Sequence, residues 1–184
     1  RLGGGMGYKA PTIFTEESER IQYQNVLPIS SESNKLEKSY GVNWDLNYRT
    51  TLFNERVSFS INNMFFYTYL NHPLWMTPIS GNRYEFVNLP GHLDTRGMET
   101  NVKLAYEDFK LFLGYSLTDA KIHNNGILIT NPLTSKHRLN NVLFYEMEDK
   151  WKVGAEAYHY SKQSLTDGTK GKPYWIFGFM AEKL

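Results

Sequence analysis

SYGVNWDLNYRTTLFNERVSFSINNMFFYTY, residues 39–69, decides the fold. Tyr40, Val42, Trp44, Leu46 and Tyr48 alternate with Gly41, Asn43, Asp45 and Asn47, the period-two pattern of a strand with one apolar and one polar face. After a break expected at Arg49 to Arg56, with Asn54 as turn former, Val57, Phe59, Ile61, Phe65, Tyr67 and Tyr69 resume the alternation opposite Ser58, Ser60, Asn62 and Thr68. The two arms read as a long antiparallel hairpin. Each runs about nine to thirteen residues, beyond the roughly 5–6 of a common strand and near the roughly 9–11 that cross a bilayer at a tilt. Tyr40 and Tyr48 bracket one arm, and Phe65, Phe66, Tyr67 and Tyr69 crowd one end of the other, where a membrane interface favours amphipathic rings. The pattern predicts a transmembrane strand pair, although a strand of a soluble sandwich has the same period.

Composition narrows the classes. A net charge of +1 gives no electrostatic case for nucleic acid, and the absence of cysteine excludes thiolate metal sites and a disulfide scaffold. No apolar run approaches the roughly 18 residues of a membrane helix. A barrel wall needs none, since only alternate residues face lipid, so a mean hydropathy of -0.50 is compatible with spanning. The chain opens at Arg1 without an initiator Met, which reads as a piece excised from a longer protein, and 13 Tyr with 11 Phe favour girdles or a binding surface over a plain core.

Outward from the hairpin the same pattern recurs. Arg1 to Lys9 carries Gly3, Gly4, Gly5 and Gly7, which fit no dinucleotide or phosphate-loop spacing and read as a strand where bulky neighbours leave no room for side chains. A helical turn is expected around Thr15 to Ile21, with Thr15 as N-cap. Tyr84, Phe86 and Val87 predict a short strand inside the connection 71–90. Met98 to Tyr106, Leu111 to Leu117, Leu139 to Met147, Trp151 to His159 and Trp175 to Ala181 each alternate, with Val142 and Phe144 as apolar intruders on a polar face. Tight turns fall at Glu107-Asp108 and at Glu148-Asp149-Lys150. The connections run long, short, long, short, long, short, long. In an outer-membrane barrel short turns lie on one side and long loops on the other, whereas a sandwich has no reason to sort them. The expected fold is all-β: about eight strands of an antiparallel up-and-down transmembrane barrel.

Five segments in order then resemble one family. Gly7-Tyr8-Lys9-Ala10-Pro11-Thr12 before Glu16-Glu17 is similar to the aromatic-Arg-Ala-Pro box of TonB-dependent outer-membrane receptors, with Lys9 in place of Arg. Asn34 to Gly41 resembles the family's Leu-x-Pro-Glu-x-Ser-x-x-x-Glu-x-Gly segment without its Pro and its second Glu. Val87-Asn88 followed by Gly97-Met98-Glu99, Gly114-Tyr115-Ser116-Leu117-Thr118-Asp119-Ala120, and Pro132 to Arg138 match its later boxes. The resemblance implies an arc of a barrel of roughly 22 strands with a plugged lumen. It also implies residues 1–184 as a partial barrel in a Gram-negative outer membrane, with the plug and the closing strands elsewhere in the parent chain. Implied partners are that plug, the TonB-ExbB-ExbD energy complex, outer-membrane lipid, and a scarce ligand such as a ferric siderophore, cobalamin or a similar metal complex. The Asn-Pro-Asn-Leu box of haem receptors is not found. A passive porin or adhesin barrel and a soluble carbohydrate-binding sandwich are the alternatives.

Candidate site residues follow from this frame. Long outward loops carry binding, so His72, Trp75, Tyr84, His123 and Tyr158 are expected to meet ligand there, with Tyr23 beside them; for Tyr158 and Tyr160 a girdle position competes. Asp45, Glu99, Lys103, Arg138 and Glu146 are expected to point into the lumen and contact the plug. His72, His92, His123, His137 and His159 show no metal-ligand spacing, and no nucleophile elbow occurs. No metal site, no cofactor and no catalytic residue are expected.

Overall fold

The computed structural model describes residues 1–30, 34–147, 150–165 and 167–183. Along the chain come β1 (Leu2–Lys9), α1 (Glu16–Arg20), β2 (Glu37–Leu52), β3 (Val57–Asn71), β4 (Leu74–Ile79), β5 (Arg83–Asn88), β6 (His92–Tyr106), β7 (Phe109–Asn124), β8 (Ile127–Thr130), β9 (His137–Met147), β10 (Trp151–Tyr160) and β11 (Tyr174–Lys183). Nine of these form one open antiparallel sheet, eight of them as a wall in the order β1-β2-β3-β6-β7-β9-β10-β11 and the ninth, β8, off that path. The short connections lie at one end of the sheet. The long ones lie at the other and hold α1, the separate β4–β5 hairpin, and β8, which pairs with the end of β7. Of the expected turn at 148–150, only Lys150 lies within the described residues, as a turn residue.

Register assigns every side chain to a face, because cross-strand partners share one. Tyr40, Val42, Trp44, Leu46 and Tyr48 pair in turn with Tyr69, Tyr67, Phe65, Asn63 and Ile61, and these with Asp94, Arg96, Met98, Thr100 and Val102. This face is open: Val42 is 47 %, Trp44 50 % and Leu113 39 % exposed. Among the described residues only Phe86, Ala120 and Ile122 are buried apolar side chains. The described residues therefore build no second layer over the apolar face, and the sandwich alternative is overturned. Trp44 stacks on Phe65 with centroids 5.8 Å apart, the kind of cross-strand pair that adds about 0.5–1.5 kcal/mol. The polar pair on this face satisfies itself, Thr100 Oγ1 donating to Asn63 Oδ1 at 2.8 Å.

The opposite face carries Asn43, Asp45, Asn47, Ser60, Asn62, Glu99, Asn101 and Lys103. Asn62 Nδ2 donates to Asp45 Oδ1 at 2.6 Å and to Asn47 Oδ1 at 2.9 Å, and Arg1 pairs with Asp45 at 2.8 Å. Val142 and Phe144, the intruders of the sequence pattern, belong to an apolar patch here. Phe144 meets Phe112 edge-on at 6.3 Å and covers Gly154, where a Cβ would stand 2.8 Å from the ring, while Lys103 Nζ lies 5.3 Å over Phe112. The β1 glycines divide: a Cβ on Gly3 would stand 2.5 Å from Asn43 Oδ1 and one on Gly7 2.9 Å from Ser39 Oγ, the crowding expected from the sequence, whereas a Cβ on Gly5 would meet nothing within 4 Å, so crowding by this sheet does not account for it.

Three boundaries move. β2 continues to Leu52, and the turn is Phe53 to Arg56, with positive φ at Phe53, Asn54 and Glu55. β6 begins at His92 and β7 runs to Asn124, well into segments expected as loops. In those extensions the faces exchange character. Above the Gly97–Thr118 pair, the outward register carries His92, Asp94 and Arg96 against His123, Lys121 and Asp119. The inward register there carries Leu93, with buried Ala120 and Ile122 on β7. A strand leaving a bilayer reverses in this way, since its outer face now meets water and its inner face meets packed loops.

Candidate functional site

The long connections fold together over the loop end of the sheet. Thr15 caps α1 as expected, its hydroxyl accepting from the Ser18 amide, while Ser18 Oγ donates to the Ile13 carbonyl. The segment after α1 docks on the β4–β5 hairpin: Leu27 N donates to Tyr84 O at 2.8 Å and Tyr84 N to Asn25 O at 2.9 Å. Leu133 N donates to Ser164 O at 2.8 Å, joining the third long connection to the fourth.

Two side chains fasten this assembly to the wall. Glu37, at the start of β2 and 8 % exposed, accepts from the Leu74 amide at 2.8 Å and so fixes the first residue of β4. Asn88 accepts from Lys35 N at 2.6 Å and donates to Lys35 O at 3.2 Å and His72 O at 2.9 Å, tying three loop strands with one amide. Asn88→Ala should remove about 1–2 kcal/mol of local stability and speed hydrogen exchange of the amides at 35, 72 and 74 while leaving the wall unchanged. Unaltered exchange at Lys35 would show that the fastening is idle.

The fastened loops line a half-open cavity of ≈ 710 Å³. α1 contributes Glu16, Glu17 and Arg20, the hairpin contributes Trp75, Met76 and Tyr84, and residues 131–134 close the side. Trp75 and Pro132 also line a neighbouring cavity of ≈ 460 Å³ that reaches Ile122 and Asn124 on the inward face of β7. Trp75 therefore stands between the loop cavity and the inner face of the wall. The lining offers an indole, a phenol and a thioether facing two carboxylates and a guanidinium, a surface for a partly apolar, partly charged ligand.

Of the five residues expected to meet ligand in outer loops, only Trp75 and Tyr84 share this cavity. His72 sits at the loop's base with φ 51°, its amide on Gly91 O at 3.2 Å. Tyr23 packs edge-on against Phe14 at 5.8 Å, away from the lining. Tyr158 is not a loop residue: it stands in β10 on the inward register, where its hydroxyl donates to Glu156 at 2.6 Å. It lines a third cavity of ≈ 440 Å³ together with Asn47, Lys103 and Asn140. Tyr160 shares that face and stacks on Tyr174 at 5.0 Å, so neither tyrosine occupies the girdle. Asp45, Glu99, Lys103, Arg138 and Glu146 all fall on the inward register. Glu146 pairs with Lys110 at 2.8 Å, and Arg138 lines a further hollow beside Tyr160 and Tyr174.

His123 lies on the other side of the sheet. Its Nε2 is 2.6 Å from Asp94 Oδ1, and its ring stacks on His92 at 4.3 Å. The histidines carry no metal-ligand spacing along the sequence, but cross-strand register joins residues that are remote in it. His92, Asp94 and His123 bring their ligand atoms within 4.8 Å of one another. The reversed polarity of the two strand ends was the signal for it.

The wall and its loops have known counterparts. The FrpB iron transporter from Neisseria meningitidis (F3-3 variant) superposes with a TM-score of 0.68 at 14% identity, over 98% of this chain and 29% of that one. The copper transporter OprC gives 0.70 at 12% identity, over 98% and 28%. The pyoverdine outer membrane receptor FpvA from Pseudomonas aeruginosa PAO1, bound to pyoverdine, gives 0.50 at 15% identity, over 78% and 23%. The chain thus spans less than a third of the length of the proteins it resembles, and at these identities the likeness is one of fold. No curated protein matches it by sequence. The family model described as TonB dependent receptor-like, beta-barrel matches residues 1–183. The chain belongs to the TonB-dependent receptor β-barrel family, whose members sit in the outer membrane of Gram-negative bacteria.

Proposed function

We propose that this chain supplies part of the wall and of the outer vestibule of a receptor that captures a scarce ligand and imports it with energy relayed by the TonB-ExbB-ExbD complex. The observation carrying this reading is the loop-lined cavity with Trp75 and Tyr84, beside a second cavity that shares Trp75 and reaches the inward face of the wall. The ligand class is a metal complex of siderophore or cobalamin type. Such a ligand offers apolar and charged surface together, as the lining does, and the proteins that share the fold include an iron transporter, a copper transporter and a pyoverdine receptor. Asp45, Glu99, Lys103, Arg138 and Glu146 would then contact a plug supplied by the same parent chain. Tight capture alone would trap the ligand, so an external energy source must shift the plug between states of different affinity.

The test uses the full-length protein in cells dependent on a candidate iron or cobalamin source. Trp75→Ala should weaken ligand binding about tenfold or more, the effect of losing one buried aromatic anchor, and deletion of TonB should abolish uptake. Uptake that persists without TonB would instead make the barrel a passive pore, and undiminished binding by Trp75→Ala would move the site out of this cavity.

A further inference from the structure

We propose that His92, Asp94 and His123 form a binding site for a divalent transition-metal ion on the outward face of the wall, at the loop ends of β6 and β7 and away from the import path. His92 and His123 are directly opposed in the β6–β7 register, the arrangement in which Cβ atoms are closest, and Asp94 stands on the adjacent outward position. Two imidazoles and one carboxylate are the donor set preferred by zinc and by its neighbours in the first transition row.

The surroundings fit this use. Asp94 is opposed in register by Lys121, but Lys121 Nζ lies 3.3 Å from Asp119, which also holds Arg96 at 3.3 Å. Among the described ion pairs, Asp94 is left with His123 alone, and its side chain is only 14 % exposed. A carboxylate so shielded has little water to balance its charge, and a metal ion would supply that balance. Tyr69 stacks on His92 at 4.6 Å, supporting the first ring while His123 remains accessible. The imidazole planes are 14° apart, so chelation needs both rings to turn about χ2 until their nitrogens converge. Zinc-nitrogen bonds of roughly 2.0–2.1 Å require that convergence from a present spread within 4.8 Å.

The site lies above the polarity reversal, so an ion reaches it from water. Ile122, between Lys121 and His123, faces the opposite side and lines the inner cavity. An ion here is consequently a resident of the rim. It would clamp β6 to β7 where those strands carry the β4–β5 loop and the β8 hairpin, stiffening the base of both.

The probe is zinc, added to the full-length receptor purified in detergent. Equilibrium dialysis with metal analysis should find one more bound zinc in the wild type than in the triple variant His92→Ala, Asp94→Asn, His123→Ala. Each single histidine variant should lose more than the roughly 10–100-fold in affinity that removal of an outer partner costs, and His137→Ala should lose none. In the wild type, zinc should also protect His92 and His123 from diethyl pyrocarbonate while His137 and His159 react as before, a readout that needs no variant to fold. Equal zinc content in wild type and triple variant, or equal reactivity of His92 and His123 with and without zinc, overturns the site.

Discussion

Leu113→Arg should cost the assembled barrel about 2–4 kcal/mol, the penalty for a guanidinium near the bilayer midplane. Leu113 occupies the middle of β7 on the outward register, between Leu111 and Tyr115 on its own strand and between Val102 and Asn141 across the sheet. Leu113 is 39 % exposed and no second layer of the described residues lies over it, so its open side is left to acyl chains, which offer an arginine neither hydrogen bonds nor a counter-charge. The control is Asn140→Arg, one register position away on the inward face, where Lys103 and Tyr158 line a wet cavity. A surface substitution of that kind costs within about 0.5 kcal/mol. Unfolding midpoints of the full-length receptor in lipid vesicles measure both. Equal losses at Leu113 and Asn140 would mean that the two faces meet the same medium, and the lipid-facing assignment would fail.

The membrane-spanning part of the wall was legible because a bilayer imposes a strict rule on alternate residues. Trp44 and Leu113 can only be apolar, whereas Asn47 and Lys103 need not be. The sorting of short and long connections was legible for the same reason, since only one side is free to carry loops. The strand ends were not. Leu93, Ala120 and Ile122 keep the period of two but on the opposite phase, so their segments looked like loops when read against the lipid rule. The candidate cavity was half legible. Trp75 and Tyr84 stood out as aromatics in a long connection, but Glu37 and Asn88 act through backbone partners, which no side-chain pattern reveals. His92, Asp94 and His123 needed the register itself: a spacing of thirty-one residues between the histidines carries no motif, and only a strand that continues past the membrane boundary brings them together.

That boundary has a fixed point at Gly97, and the substitution Gly97→Val tests it. Gly97 pairs with Phe66 on β3 and Thr118 on β7, at the level where the apolar face changes sides. A Cβ built there would lie 2.6 Å from Phe66 Cζ and would collide with the carbonyl oxygen of Leu117. The ring can turn aside, but the carbonyl belongs to the β7 backbone and can yield only if β6 and β7 separate locally. The cost should reach the top of the roughly 1–3 kcal/mol range of overpacking. Phe66→Ala separates the two sources of strain. In that background Gly97→Val should recover part of the loss, because the ring is gone, yet stay clearly destabilised by the carbonyl. The two substitutions should thus be coupled in a double-mutant cycle of unfolding midpoints. Full rescue by Phe66→Ala would show that the ring alone demands glycine, and wild-type stability of Gly97→Val would show that β6 and β7 do not approach as closely at this level as the structure places them.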